Sequence, residues 1–289
     1  MCLKAIIFDW AGTVVDFGSL CPISAFQSAF LAKGITVSAK DIHRFMGVHK
    51  RDHIQALLSL PDVAAGWQNN FKRTSNSDDV DSLYKIAEQQ MVETVAASAV
   101  PTPFLAEALA AVRKQGLRIG STTGYTSPMM QRLVPAAKQN GFDPEFWIAS
   151  DQVPQGRPWP WMIYKNMEYL KVCPPAAVVK IGDTLADIEE ANNAGIWAIG
   201  VAESSSLIGK SEAEFKAMPA RSRNQTVQKV SKQFAEAGAH SVIKNLSELK
   251  EALKQIDERL EKGQLPPQLK RHPSSSSPKV GWKPAPLLL

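Results

Sequence analysis

Ala5-Ile6-Ile7-Phe8-Asp9-Trp10-Ala11-Gly12-Thr13-Val14 is the stretch on which the fold turns. Ala5 to Phe8 is apolar and short, which reads as a buried strand. The strand ends on an acid, Asp9. Gly12 then permits a tight turn that exposes backbone amides. A carboxylate at the carboxyl end of a buried strand stands where open α/β sheets bind their ligands. Taken alone, such an Asp is most simply a solvated strand end, so its meaning depends on the rest of the chain.

The chain has 289 residues, room for one large domain or two modest ones. It is 44% hydrophobic and 21% charged, a globular composition. No apolar run approaches the roughly 18–20 residues of a membrane span. The amino terminus has no secretory pattern. Cys2, Cys21 and Cys173 are scattered without CxxC spacing, which argues against a disulfide framework or a zinc site. Cysteine usage of this kind fits a reducing cytoplasm, the expected location. The net charge of +5 resides in the last residues. Lys262, Lys270, Arg271, Lys279 and Lys283 have no acids among them, and residues 1–261 hold 28 cations against 28 acids. A neutral body argues against a nucleic-acid surface.

After Gly18 the pattern turns helical and stays so to Ala99, with no strand signal. Short helices are expected over Ser24–Lys33, closed by Gly34, and over Ala39–Phe45, capped by Ser38. Others are expected over Lys50–Leu60, from Pro61 through Phe71, and over Val80–Ala97, with 74–79 as a loop. From Pro101 strands and helices alternate. Strands are expected at 117–122, 146–149, 177–181, 196–201 and 241–243. Helices are expected at 104–115, 128–140, 158–170, 186–194 and, from Val230 to Leu260, on both sides of the last strand. Such alternation means βαβ units and a parallel sheet. The expected domains are therefore an α/β core of residues 1–20 and 100–261, a helical cap of 21–99, and a disordered basic Pro/Ser-rich tail of 262–289.

Five motifs recur in a fixed order: D-W-A-G-T at Asp9, M-G-V-H-K-R-D-H at Met46, G-S-T-T-G-Y-T at Gly120, P-Q-G-R-P-W-P-W-M at Pro154 and G-D-T-L-A-D at Gly182. Together they resemble the haloacid dehalogenase superfamily, and within it the phosphonoacetaldehyde hydrolase, or phosphonatase, branch. The resemblance implies a Rossmann-like parallel-sheet core with an inserted α-helical cap. It implies Asp9 as the nucleophile toward phosphorus. It also implies Mg2+ held by Asp9, the backbone oxygen of Ala11 and Asp183, with Asp187 one helical turn on to orient the site. Thr123 and Gly124 offer a hydroxyl and amides to a phosphoryl group, and Arg157 offers a planar fork. Lys50 matches the lysine that forms a Schiff base with an aldehyde. His53 matches a residue assisting proton transfer at that imine. Met46 and Tyr125 match residues near the substrate. His49, Arg51 and His53 surround Lys50 with basic groups, and neighbouring charge is expected to lower its pKa.

Phosphatases of the superfamily carry a second Asp two residues after the first, to protonate an alcohol leaving group. Here that position is Ala11. The family often has a cysteine where Ser19 stands, and Cys21 lies two residues on. The expected substrate is a small phosphonate, and the resemblance implies a homodimer formed through the cap. Two other readings are a Mg2+-dependent phosphatase or phosphomutase on small phosphate esters, against which Ala11 speaks, and a catalytically silent binding protein. The intact Asp9, Lys50 and Asp183 speak against the second.

Overall fold

A computed structural model of the chain describes residues 1–46 and 50–267. At its centre is a six-stranded, all-parallel sheet. The strands are β1 (Ala5–Phe8), β2 (Arg118–Thr122), β3 (Phe146–Ile148), β4 (Val178–Gly182), β5 (Trp197–Val201) and β6 (Ser241–Ile243). Their spatial order is β3-β2-β1-β4-β5-β6. The winding direction reverses between β1 and β4, and a crevice opens there at the carboxyl ends of both strands. Asp9 follows β1 and Asp183 follows β4, so topology alone brings two distant acids together.

Alternation along β1 divides the interior in two. Ile6 and Phe8 face one apolar layer, and Ala5 and Ile7 face the other. The first layer holds α6 (Leu105–Lys114), α7 (Ser127–Gln139) and α12 (Leu249–Glu261). The second holds α8 (Trp161–Leu170), α9 (Leu185–Ala194) and α11 (Ala220–Glu236), with α10 (Glu212–Ala217) beside them. Strands buried on both faces are largely apolar, which is why β1, β4 and β5 read so clearly from sequence.

Between the isolated bridges at Val15 and Pro101 the described residues form helices and no strand. They are α1 (Cys21–Leu31), α2 (Ala39–His43), α3 (Lys50–Leu58), α4 (Pro61–Phe71) and α5 (Ser77–Thr94), followed by a 3₁₀ turn at Val95–Ser98. Gly47, Val48 and His49, part of the motif at Met46, lie outside the described residues. Phe26, Phe30, Ile54, Leu57, Leu83 and Met91 make a continuous apolar interior for this insert, which joins the first layer of the core. The two linkers to the core run side by side: the Asp16 amide donates to the Val100 carbonyl at 3.1 Å and the Thr102 amide to Val14 at 3.0 Å.

Several boundaries differ from expectation, α1 starting at Cys21 and α8 at Trp161 among them, α10 is not foreseen, and three differences have a visible cause. Helix α5 starts at Ser77, because Asn76 and Asp79 form a reciprocal capping box inside what reads as a loop. Helix α11 starts well before Val230. Its buried stripe is only Val227, Val230 and Phe234, too sparse to show its first turns. Residues 262–267, expected as part of the tail, make defined contacts. Pro266 is buried, the Gln264 amide donates to the Arg259 carbonyl at 2.9 Å, and His240 Nε2 lies 3.2 Å from the Pro267 carbonyl. His240 Nδ1 accepts from the Ala198 amide, so Nε2 carries the proton and donates. The remainder of the expected tail, 268–289, lies outside the described residues. Among the described residues no helix is long and apolar enough to cross a membrane.

Candidate active site

The Asp9 amide still donates to Ile181 of β4 at 2.9 Å, so Asp9 is the last ordered residue of the sheet edge of the crevice. The indole of Trp10 donates to Ser121 at 3.0 Å and turns away from the site. Gly12 then adopts φ +81° and donates its amide to Val15 at 2.7 Å. A Cβ on Gly12 would stand 2.3 Å from Asp183 Oδ2. Only glycine therefore lets the first turn approach the second acid this closely.

A small cavity, open to solvent, lies above these acids. Asp9, Ala11, Met46, Lys50, Thr123, Gly124, Tyr125, Arg157 and Asp183 all line it, as do Ser19 and Thr184. His53 and Asp187 do not. Asp187 lies beneath the cavity, where its Oδ2 accepts from the amide and hydroxyl of Thr184 and caps α9. The His53 ring lies 4.5 Å from that of Phe26 and 5.9 Å from that of Phe45, among aromatic neighbours. Burial, and then the charge of Lys50, hold the His53 imidazole down at about 3, so it is neutral.

Lys50, the first residue of α3, is 3% exposed, and its ammonium lies 5.4 Å from the centre of the Tyr125 ring. Its pKa is lowered to about 8. The largest cause is burial, opposed by Asp9. Neighbouring cations are not the main cause, contrary to the expectation from the basic cluster. Arg51 turns outward to Asp81 at 2.6 Å, and His53 is uncharged. A desolvated amine becomes a free nucleophile near neutral pH for the same electrostatic reason that charged groups avoid apolar surroundings. Cys21 does not line the cavity, and its sulfur lies 3.8 Å from Thr94 Oγ1. Ser19 occupies the lining position itself, with φ +53°.

Arg157 is buried, and its donors are already engaged. Nη2 meets Asp9 Oδ1 at 2.7 Å and the Thr122 carbonyl at 2.8 Å, Nη1 lies 2.9 Å from Asp187, and Nε lies 3.0 Å from Glu190. The fork expected to hold a phosphoryl group is engaged by Asp9, the expected nucleophile, and by Asp187 and Glu190. Beneath it Lys180, fully buried in β4, lies 3.1 Å from Asp187 and 3.4 Å from Glu190. Lys180, Glu190 and Thr122 escaped the sequence reading. The signal was there in Lys180, a lone charge inside the apolar run Val178–Ile181, since a buried charge needs a buried partner. Glu190, three residues past Asp187 on one face of α9, supplies it.

Asp9, Asp183 and Asp187 bring carboxylate oxygens within 4.8 Å of one another, all buried. The carboxyl groups of Asp9, Asp183, Asp187 and Glu190 outnumber the basic side chains among them, Arg157 and Lys180. Burial and mutual repulsion raise the pKa of Asp9 and push that of Asp183 well above the usual carboxylate range. Asp183 Oδ1 has no hydrogen-bond partner. Surplus buried negative charge with an orphaned hard oxygen fits a divalent cation. Asp9, Asp183 and the Ala11 carbonyl are the groups that could hold one.

Residues 3–195 match the family model of haloacid dehalogenase-like hydrolases. The chain is 43% identical to a phosphonoacetaldehyde hydrolase of Syntrophobacter fumaroxidans over 91% of its own length and 95% of the relative's. It is 40% identical to a phosphonoacetaldehyde hydrolase of Nitratidesulfovibrio vulgaris over 91% of its length and 94% of that protein's. A crystal structure of a phosphonoacetaldehyde hydrolase-like protein from Oleispira antarctica superposes with a TM-score of 0.90, at 32% identity, covering 92% of this chain and 96% of that one.

Proposed function

This chain belongs to the haloacid dehalogenase-like hydrolases and, within them, to the phosphonoacetaldehyde hydrolase family, and from that membership we propose that its cavity cleaves the carbon–phosphorus bond of phosphonoacetaldehyde to give acetaldehyde and phosphate. One observation carries the mechanism: a buried amine, Lys50, and a buried carboxylate, Asp9, line a single small cavity.

The Lys50 amine adds to the aldehyde carbon, and loss of water leaves a protonated imine. Asp9 then attacks phosphorus. The electrons of the breaking C–P bond pass to the former aldehyde's α-carbon and the imine nitrogen, leaving an enamine. Water hydrolyses the aspartyl phosphate to phosphate and regenerates Asp9. Protonation of the enamine carbon and hydrolysis of the imine release acetaldehyde and free Lys50. Arg157 holds the Asp9 carboxylate in place, and Thr123 and Gly124 border the phosphonate end. His53, neutral and set behind Lys50, is assigned proton transfer at the nitrogen. Met46 and Tyr125 enclose the aldehyde end. Asp9, Asp183 and the Ala11 carbonyl would hold Mg2+, which when bound neutralises charge on the phosphonate. A carbanionic leaving group stabilised by an imine needs no acid at Ala11. An alkoxide would.

The test is phosphate release from phosphonoacetaldehyde beside a sugar phosphate, each with Mg2+. Release from the phosphonate alone is expected. Release from the sugar phosphate alone would replace this reading with that of a phosphatase.

A further inference from the structure

The loop after β5 passes directly behind Asp183. It carries three consecutive serines, Ser204, Ser205 and Ser206, all buried. The Ser204 hydroxyl donates to the Gly12 carbonyl at 2.6 Å, and the Ser204 carbonyl accepts from the Gly18 amide at 2.9 Å. The Ser205 hydroxyl donates to the Asp183 carbonyl at 2.5 Å and accepts from the Leu207 amide at 3.1 Å. The Ser206 amide donates to Asp183 Oδ2 at 2.7 Å. Two segments far apart in sequence, the turn after Asp9 and the end of β4, are thus tied to one loop.

Two polar atoms in this arrangement stay without a hydrogen-bond partner, Asp183 Oδ1 and the Ser206 hydroxyl oxygen, and both are buried. Buried polar atoms left unmet are costly, so they mark a place for a partner. One carboxylate oxygen is pinned, the other is free, and a spare hydroxyl stands on the same side chain's flank.

We propose that Ser205 and Ser206 are positioning residues for Asp183: Ser205 fixes the loop, the Ser206 amide ties Oδ2, and Oδ1 is left to face a divalent cation. The proposal rests on the reading of Asp9 and Asp183 as a cation site. Hydrogen bonds of this kind orient ligands and are worth about 10- to 100-fold in metal affinity. They also bear on which metal is held. Mg2+ favours one oxygen per carboxylate in a strict octahedron, whereas Ca2+ accepts both oxygens of a carboxylate in a looser shell. A carboxylate with Oδ2 tied is shaped for the former.

The experiment is calorimetric titration of the full chain with Mg2+ and with Ca2+, well below its melting temperature. Wild type, Ser205→Ala, Ser206→Ala and Asp183→Asn are compared, and circular dichroism verifies that each is folded. Ser205→Ala, which frees the loop carrying the Ser206 amide, is expected to weaken Mg2+ binding by about tenfold and Ca2+ binding by less, narrowing the preference for Mg2+, whereas Ser206→Ala keeps that amide and is expected to bind both ions nearly as wild type does. If Ser205→Ala binds Mg2+ as wild type does while Asp183→Asn does not, the positioning role is overturned and the cation site stands. An equal loss for both ions would also overturn it, since the pin would then not select. If wild type fails to bind Mg2+, or Asp183→Asn binds as wild type does, the cation reading itself falls.

Discussion

Lys50 is costly to bury as an ammonium, and that cost is what makes it reactive. With its pKa at about 8, the free amine is a substantial minority near neutral pH. In the proposed reaction kcat/KM should rise with pH below about 8 and level off above it, because the unprotonated form attacks the aldehyde. A pH profile with no limb in that region would remove Lys50 as the nucleophilic amine. Borohydride added with acetaldehyde should inactivate the protein and leave one ethylated lysine, located at residue 50 by peptide mass mapping. Lys50→Arg keeps the charge but forms no imine, and should lose activity by about 10³-fold or more. Label on another lysine, or an active Lys50→Arg protein, would sink the mechanism.

At the scale of elements, the site is made by the turn after β1 meeting the end of β4. Gly12 governs that meeting. Gly12→Ala would strain a backbone at φ +81° and drive a methyl to 2.3 Å from Asp183 Oδ2. A stability loss of about 1 kcal/mol or more is expected from the backbone alone. Mg2+ affinity should fall as well, because Asp183 must move. A titration showing Gly12→Ala with unaltered Mg2+ binding would show that the close approach has no bearing on the cation. The sequence made these elements readable unevenly. Strands β1, β4 and β5 are doubly buried, so their composition announces them. The acids at their ends are visible because each follows an apolar run. Helix α11 is nearly all polar outside its stripe, so its first turns gave no signal. Pairing across the sheet is another kind of information. Nothing local ties Lys180 to Glu190, or Ser206 to Asp183, because those contacts depend on which strands become neighbours. The cause of Lys50's lowered pKa was hidden for the same reason. The sequence displays neighbouring charges, whereas burial belongs to the tertiary fold.

For the whole molecule, the cavity is shared between the helical insert, which brings Met46 and Lys50, and the core, which brings Asp9, Arg157 and Asp183. Neither part holds it alone. The two linkers that join them are bonded to each other, Val15 bridging Pro101 and the Asp16 amide donating to Val100. They should therefore bend together as one hinge, near Gly18-Ser19-Leu20 and Ala99-Val100-Pro101. Gly18, at φ +83°, and Ser19, at φ +53°, are the residues there with left-handed backbone. A substrate with its aldehyde at Lys50 and its phosphonate at Asp9 touches both sides, so binding should favour the closed arrangement and exclude water from the aspartyl phosphate. Hydrogen exchange with Mg2+ and an unreactive phosphonate analogue should slow the amides of α3 relative to the free protein. Amides of β1 and β4, buried in either arrangement, should change little and serve as the internal reference. Unchanged exchange in α3 with the analogue bound would mean that the insert does not close over its substrate, and Lys50 would then have to reach the aldehyde by side-chain motion alone.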